Sequence, residues 1–249
     1  MDSSKVLKGL LAIIIVLYIS FLYLDIFYIH NTINSDILKF VSILLCLLMT
    51  IISRKRPLDN KDILLLQMGM SVTVLADIFL LILDSHYKLG VSLFSIVQII
   101  YGIRYRGQKK DQSIRLYIYI FLMLNCLYFA IRIFTDKAEY LLFISLFYGI
   151  CLVYSVYSGI VAYGDKRYPK INRTMILLGM ILFLLCDINV AIYNILGYIH
   201  SLDGIWNLLY KISSISMWLY YLPSQVLLSL SGYDFRDKID NVIKIYKGK

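Results

Sequence analysis

Two aspartates, Asp77 and Asp187, lie deep within long apolar segments of this 249-residue chain. A carboxyl group in such a place is rare and by default marks a functional or water-filled site. Two of them can divide acid–base work: one keeps its proton in apolar surroundings and donates it, while its ionised neighbour stabilises a developing cation or orients water. Two alternatives remain open, since each aspartate could also hydrogen-bond to polar groups on other helices or bind a transported cation.

The apolar segments that carry these aspartates are predicted to be membrane-spanning helices. Hydrophobic residues make up 60% of the chain and charged residues 16%, whereas an ordinary globular domain has about 45–50% and about 25%. These proportions exclude an intrinsically disordered chain, and four cysteines are too few for a disulfide scaffold. A helix crosses a bilayer with about 20 mostly apolar residues, and the alternating pattern of a membrane β-barrel is absent from these segments. Eight stretches are long enough, and they run approximately over 8–30, 36–53, 62–84, 88–105, 115–134, 140–163, 174–196 and 206–231.

The positive charges indicate how the eight segments are oriented. Twenty of the 25 Lys and Arg residues fall on the N-terminus, on alternate connections and on the C-terminal tail. Basic residues accumulate on the cytoplasmic side, so both termini are predicted to be cytoplasmic, which an even number of spans requires. The net charge of +9 is then a topology signal, and no nucleic-acid partner is expected. We predict an all-α, polytopic integral membrane bundle in one domain over 1–249, with a short basic cytoplasmic tail over 232–249, in a bacterial inner membrane.

This orientation places the two aspartates at a similar depth. Asp77 follows the start of its predicted span by 15 residues, and Asp187 follows its own by 13. At 1.5 Å per residue they lie roughly 22 and 20 Å along helices that run in the same direction. The sequence therefore predicts two carboxyl groups at one level of the bundle, slightly outward of the membrane midplane.

The residues around both aspartates resemble those of the YhhN-like lysoplasmalogenase family. That family has one carboxylate in its third span and a second in a later signature that consists of a Phe followed by Ser-Asp. It ends with a Tyr-x-x-Ala-Gln segment, and Tyr221-Leu-Pro-Ser-Gln225 of this chain is similar to that segment. The positions that match the first two signatures are Asp77, Gly90, Phe94, Tyr101, Phe183, Asp187 and Ala191. The chain departs from the family pattern at four positions. It has Ala76 where the family has Gly, Cys186 where it has Ser and Gln98 where it has His, and Asn194 is offset by one residue from the family's Asn near the end of the seventh span.

The resemblance implies a hydrolase that cleaves the vinyl-ether bond of lysoplasmalogens, releasing a fatty aldehyde and glycerophosphoethanolamine or glycerophosphocholine. It implies catalytic roles for Asp77 and Asp187, no cofactor and no metal, and a lysophospholipid substrate among the membrane lipids. Gln98 stands where the family has a histidine, and glutamine cannot take a proton at neutral pH. A transporter and a non-catalytic membrane scaffold or sensor are the alternatives. The residues expected to bind substrate are Gln98, Tyr101, Asn194, Tyr221 and Gln225.

Several other residues are expected to be structural. His30, His86 and His200 fall on the predicted outer side without the spacing of metal ligands, so no metal site is predicted. The 22 tyrosines are expected to form interfacial belts, and basic residues at helix ends, such as Arg104, to extend toward the membrane surface. Pro223, inside the last span, is expected to free a backbone carbonyl and to kink its helix.

Overall fold

A bilayer offers no hydrogen-bond partners, so a chain of this composition satisfies its backbone groups within helices. The computed structural model describes residues 3–27, 34–135, 139–199 and 203–236, and these ranges contain helices and no β-strand. The helices are α1 (Ser3–Phe27), α2 (Ser35–Ser53), α3 (Asn60–Asp77), α4 (Tyr87–Arg106), α5 (Lys110–Phe134), α6 (Tyr140–Gly164), α7 (Lys170–Gly197) and α8 (Ile205–Leu230). A π-helical turn over Ile78–Ile82 extends α3, and a short 3-10 turn precedes α5.

The eight helices coincide with the eight predicted segments, so the all-helical prediction is confirmed. Six of them are long and apolar enough to cross a membrane: α1, α2, α3 with its π turn, α5, α6 and α7. α4 and α8 are more polar, because they carry buried polar side chains such as Gln98 and Gln225. That all eight helices cross the bilayer, and that both termini are cytoplasmic, remain predictions.

The basic connections meet at one end of the bundle, which we call the basic end. They are the loops after α2, α4 and α6 and the segment after α8. The backbone joins two of them directly, since Leu58 N donates to Gly232 O (3.1 Å). A third is held by Arg167, whose Nη1 donates to Tyr105 O near the end of α4 (3.4 Å). Most of the Lys and Arg residues in the described part of the chain therefore lie on these connections or on the helix ends next to them.

Arg104 does not extend toward the membrane surface, so that expectation is wrong. Its side chain is fully buried at the basic end, where Nε and Nη2 donate to the two Asp62 carboxylate oxygens at 2.9 and 2.8 Å. Nη1 donates to Ser231 Oγ (2.9 Å), and the Tyr168 hydroxyl donates to Asp62 Oδ1 (2.7 Å). These four residues form the Arg104–Asp62 cluster, which joins α3, α4, the loop after α6 and the end of α8. A buried guanidinium is tolerated here because a bidentate carboxylate compensates its charge.

Pro223 removes one backbone hydrogen bond from α8, and a tyrosine of another helix replaces it. A proline has no N–H, so the carbonyl four residues earlier, that of Leu219, loses its helical partner. Leu219 O instead accepts a hydrogen bond from the Tyr18 hydroxyl of α1 (2.8 Å). The freed carbonyl that the sequence predicts is therefore used to attach α1 to α8.

Replacing Tyr18 by phenylalanine is expected to lower the free energy of unfolding by about 0.6–2 kcal/mol, the range for a hydrogen bond between membrane helices. In a Pro223→Ala background the loss should be smaller, because the restored N–H at position 223 pairs with Leu219 O. A double-mutant cycle of unfolding in detergent measures the difference. An equal loss in both backgrounds would contradict this role for Tyr18.

The helices that carry the two aspartates, α3 and α7, do not pack against each other within the described residues. α3 packs on α4, α4 packs on α6, and α7 packs on α8. α7 and α8 approach closely at Gly179, where Ser224 Oγ donates to Gly179 O (2.8 Å) and an added Cβ would lie 2.9 Å from Leu228. The two aspartates are therefore linked through side chains, and not through direct packing of their helices.

Candidate active site

Asp77 is the last residue of α3, directly before the π-helical turn. A π turn widens the helix by one residue and often occurs at functional sites; here Leu83 N donates to Ile78 O (2.8 Å). Asp77 is 5% exposed. The Tyr221 hydroxyl of α8 lies 3.1 Å from its Oδ1 and 2.9 Å from its Oδ2. The first predicted catalytic carboxyl is thus buried and held by a tyrosine hydroxyl.

Asp187, in the C-terminal half of α7, has a matching partner on α6. The Tyr148 hydroxyl donates a short hydrogen bond to Asp187 Oδ2. The residue is partly exposed, unlike Asp77. Among the described residues, no donor forms a hydrogen bond with its Oδ1. Asp187 therefore keeps one oxygen available for a further hydrogen bond.

Aromatic side chains join the two carboxyl–tyrosine pairs. The Phe94 ring contacts the rings of Tyr148 and Tyr221, with centroid distances of 6.1 and 6.4 Å, and the Phe183 ring lies 5.8 Å from Tyr221. The aspartates therefore belong to one group of contacting side chains. We call it the carboxyl–tyrosine site, and it consists of Asp77, Asp187, Tyr148 and Tyr221.

Two predicted substrate-binding residues lie next to this site. Gln98 follows Phe94 by one helical turn on α4; its side chain lies beside the Tyr148 hydroxyl, and its Oε1 accepts a hydrogen bond from Ser155 Oγ (2.6 Å). Gln225 follows Tyr221 by one turn on α8 and is fully buried. Along its helix, each amide therefore lies about 6 Å from the ring that contacts the site. Both are displaced from that ring toward the basic end.

Two other predicted substrate-binding residues lie elsewhere. Tyr101 is buried nearer the basic end, where its hydroxyl donates to Met70 Sδ (3.2 Å) and its ring stacks on Tyr105. Asn194 is exposed, and its Nδ2 donates to Val190 O of its own helix (2.8 Å). The described structure shows no contact between either residue and the carboxyl–tyrosine site.

Tyr148 is the residue that sequence reasoning missed. Apart from the predicted substrate-binding residues, the tyrosines were expected to form interfacial belts, and this expectation is wrong for Tyr148 of the site and for the buried Tyr105. Tyr148 follows the start of α6 by eight residues, which is about 12 Å of helix. That depth was the available signal, because a belt tyrosine lies within a turn or two of a span end.

The histidines contribute no metal site within the described residues, where no group of three or more His, Cys, Asp or Glu could hold a metal ion. His86 is described: its Nδ1 pairs with Ser85 Oγ (2.9 Å) and its ring contacts Phe79. His30 and His200 lie outside the described residues, so their predicted interfacial position is not addressed.

Comparison with known protein families assigns the chain. A model of the YhhN family matches residues 34–232. The chain belongs to the YhhN family. The match includes α2 to α8 and therefore every residue of the carboxyl–tyrosine site. No curated protein and no solved structure matches the chain. The resemblance inferred from the sequence around the two aspartates is confirmed, and this YhhN-family protein is a helical, multi-pass membrane protein by the length and apolarity of six of its helices.

Proposed function

We propose that this YhhN-family protein is an intramembrane hydrolase that cleaves the vinyl-ether bond of lysoplasmalogen-type lysophospholipids. The products are a fatty aldehyde and glycerophosphoethanolamine or glycerophosphocholine. The observation that carries the proposal is the carboxyl–tyrosine site, in which Asp77 and Asp187 are each held by a tyrosine hydroxyl on the two sides of Phe94. Two carboxyl groups in one apolar site can supply both the acid and the base that this hydrolysis needs.

The reaction starts with protonation of the alkene carbon that does not carry the ether oxygen. This gives an oxocarbenium ion, and a water molecule then adds to the carbon bonded to that oxygen while a base takes its proton. The resulting hemiacetal collapses: the carbon–oxygen bond to glycerol breaks, the glycerol oxygen takes a proton, and the aldehyde is released. One water is consumed, no electron is transferred, and one acid and one base suffice.

The surroundings of the two carboxyl groups suggest how the roles divide. Asp77 is buried among apolar side chains, where an uncompensated charge is costly, so we assign it the proton that is transferred to carbon. Asp187 is partly exposed and has Oδ1 available, so we assign it the base that orients and deprotonates water. Each tyrosine hydroxyl fixes the orientation of its carboxyl group and stabilises it when it is ionised.

Aromatic rings around the site suit a cationic intermediate. Phe94, Phe183 and Trp218 all contact Tyr221, with centroid distances of 6.4, 5.8 and 5.2 Å. The face of an aromatic ring attracts a desolvated cation by about 0.5–2 kcal/mol. The ring cluster therefore stabilises the cationic oxocarbenium ion more than the neutral vinyl ether. Stabilising the transition state more than the substrate is what accelerates a reaction.

The test compares three lysophospholipids that share a headgroup and chain length but attach the chain through a vinyl ether, a saturated ether or an ester. The purified protein should release aldehyde from the vinyl ether alone, because protonation at carbon requires the double bond. In D2O the aldehyde, reduced as it forms, should carry one deuterium on the carbon next to the former carbonyl. Failure to cleave the vinyl ether would overturn the proposal and favour a transporter or scaffold.

Replacing Tyr148 or Tyr221 by phenylalanine is expected to lower kcat for the vinyl-ether substrate by about 10- to 100-fold. The reason is that a hydrogen bond to a charged group contributes about 1.5–3 kcal/mol. Tyr119→Phe is the matched control, since Tyr119 is 67% exposed, and its kcat should equal that of the wild type. Rates within twofold of wild type for both site variants would show that the hydroxyls do not support catalysis.

A further inference from the structure

The facing residues of α4 and α8 keep one register along the bundle. The Phe94 ring contacts the Tyr221 ring near the carboxyl–tyrosine site, and Arg104 Nη1 donates to Ser231 Oγ at the basic end (2.9 Å). The partners in both contacts are 127 residues apart. The two helices therefore run in the same direction, and residues separated by 127 positions lie at the same level.

Gln98 and Gln225 are also 127 residues apart and lie between these two contacts. Each follows a ring of the aromatic contact by four residues, which places it on the same face of its helix about one turn further on. The register therefore places the two amides at about the same level of the bundle, about one helical turn from the aromatic contact on its side toward the basic end.

Both amides are fully buried and incompletely paired. Gln225 is 0% exposed, and neither its Nε2 nor its Oε1 has a hydrogen-bond partner among the described residues. Gln98 is also 0% exposed; Ser155 occupies its Oε1, and its Nε2, although it lies beside the Tyr148 hydroxyl, forms no hydrogen bond within the same residues. Buried polar groups are nearly always paired, because an unpaired one loses its hydration without compensation. Two such amides at one level point to a ligand that is both a donor and an acceptor.

We infer that Gln98 and Gln225 form a subsite for the free 2-hydroxyl group of the glycerol in the lysophospholipid substrate. A hydroxyl group matches the open atoms, since it can accept a hydrogen bond from Gln98 Nε2 and donate one to Gln225 Oε1. In a 1-alkenyl lysophospholipid this hydroxyl is separated from the ether oxygen by two carbon atoms. That short separation suits a subsite about one helical turn from the carboxyl groups. The inference rests on the proposed function for the identity of the substrate.

A subsite of this kind makes the enzyme selective for the hydroxyl, because a substrate without it would leave the buried amides unpaired. The wild type should show a kcat/KM for the 1-alkenyl-2-hydroxy lysophospholipid at least about tenfold above that for its 2-deoxy counterpart. The corresponding 1-alkyl ethers, which lack the double bond, should show the same preference in Kd when titrated into protein in nanodiscs. In Gln225→Leu and in Gln98→Leu both ratios should fall to about one.

Gln67→Leu is the matched control, since Gln67 Nε2 donates to Thr50 O (3.1 Å) between α2 and α3, away from the site. It should keep the wild-type ratios. Melting temperature separates a subsite from a merely structural role: replacing the unpaired Gln225 by leucine should leave it unchanged or raise it, whereas a structural hydrogen bond would make it fall.

The outcomes also separate this inference from the proposed function. Aldehyde release without a preference for the 2-hydroxyl group, or a preference that survives in Gln225→Leu, would overturn the subsite and leave the hydrolase standing. A hydroxyl preference in the Kd of the alkyl ethers without any aldehyde release would overturn the hydrolase and support the subsite. A wild type that neither cleaves nor discriminates would overturn both.

Discussion

Replacing Asp77 or Asp187 by asparagine is expected to abolish aldehyde release from the vinyl-ether lysophospholipid, with kcat lowered by about 10²- to 10⁴-fold or more. An asparagine has the shape of aspartate and keeps an oxygen that can accept from Tyr221 or Tyr148, so the local packing should survive. What it lacks is a proton to give to carbon at position 77 and a basic oxygen to take one from water at position 187. The variants are compared by aldehyde release per mole of folded protein.

Asp165→Asn is the matched control, because Asp165 is exposed in the loop after α6, at the basic end. It should cleave at the wild-type rate. The double variant of Asp77 and Asp187 should be no slower than the slower single variant by more than a few-fold, since residues that act as a unit have non-additive effects. Undiminished cleavage by Asp77→Asn or Asp187→Asn would remove that carboxyl group from the mechanism.

Replacing Asp62 by asparagine is expected to have the largest effect on stability, lowering the free energy of unfolding by about 3–5 kcal/mol. The substitution leaves the Arg104 guanidinium charged and fully buried, with its bidentate partner gone. Burial raises the pKa of Tyr168, so the Tyr168 hydroxyl stays protonated in the variant and cannot replace the lost charge. Unfolding of wild type and variant in the same detergent measures the loss.

The control for this cluster removes both charges together. Asp62→Leu combined with Arg104→Met should be considerably more stable than Asp62→Asn, because no uncompensated charge remains in the interior. Tyr168→Phe should cost less than Asp62→Asn, since it removes only the hydrogen bonds of the Tyr168 hydroxyl, to Asp62 Oδ1 and Arg104 O, and leaves the ion pair. If Asp62→Asn were as stable as the double replacement, the ion pair would not explain the burial of Arg104.

The candidate site was predicted from the sequence in part. Asp77 and Asp187 stand out because a carboxyl group in an apolar segment is conspicuous at any position, and the surrounding motif led to the family that the comparison confirms. Tyr148 could not be identified in that way. A tyrosine is common in membrane proteins, and the depth of Tyr148 in α6 points to a site only when the carboxyl group that accepts its hydrogen bond is known.

Arg104 shows the same limit for charges. A basic residue near a helix end normally extends toward the membrane surface, and nothing local to Arg104 distinguishes it from its neighbours Arg106 and Lys109. Its burial depends on Asp62, which precedes it by 42 residues, and on Ser231, which follows it by 127. Some of the polar residues that make α4 and α8 less apolar likewise have partners on other helices, as Gln98 has Ser155 and Ser224 has the carbonyl of Gly179.

The sequence by itself determined the eight helical segments, the concentration of positive charge on alternate connections and the two deep carboxyl groups. These properties follow from the composition of contiguous residues and from the hydrogen bonds that a helix makes within itself. Only the tertiary structure decided that Asp77 pairs with Tyr221 and Asp187 with Tyr148, and that Arg104 of α4 reaches Ser231 at the end of α8. Those pairings join residues tens of positions or more apart, and they depend on which helices pack together and at what offset, which no local pattern encodes.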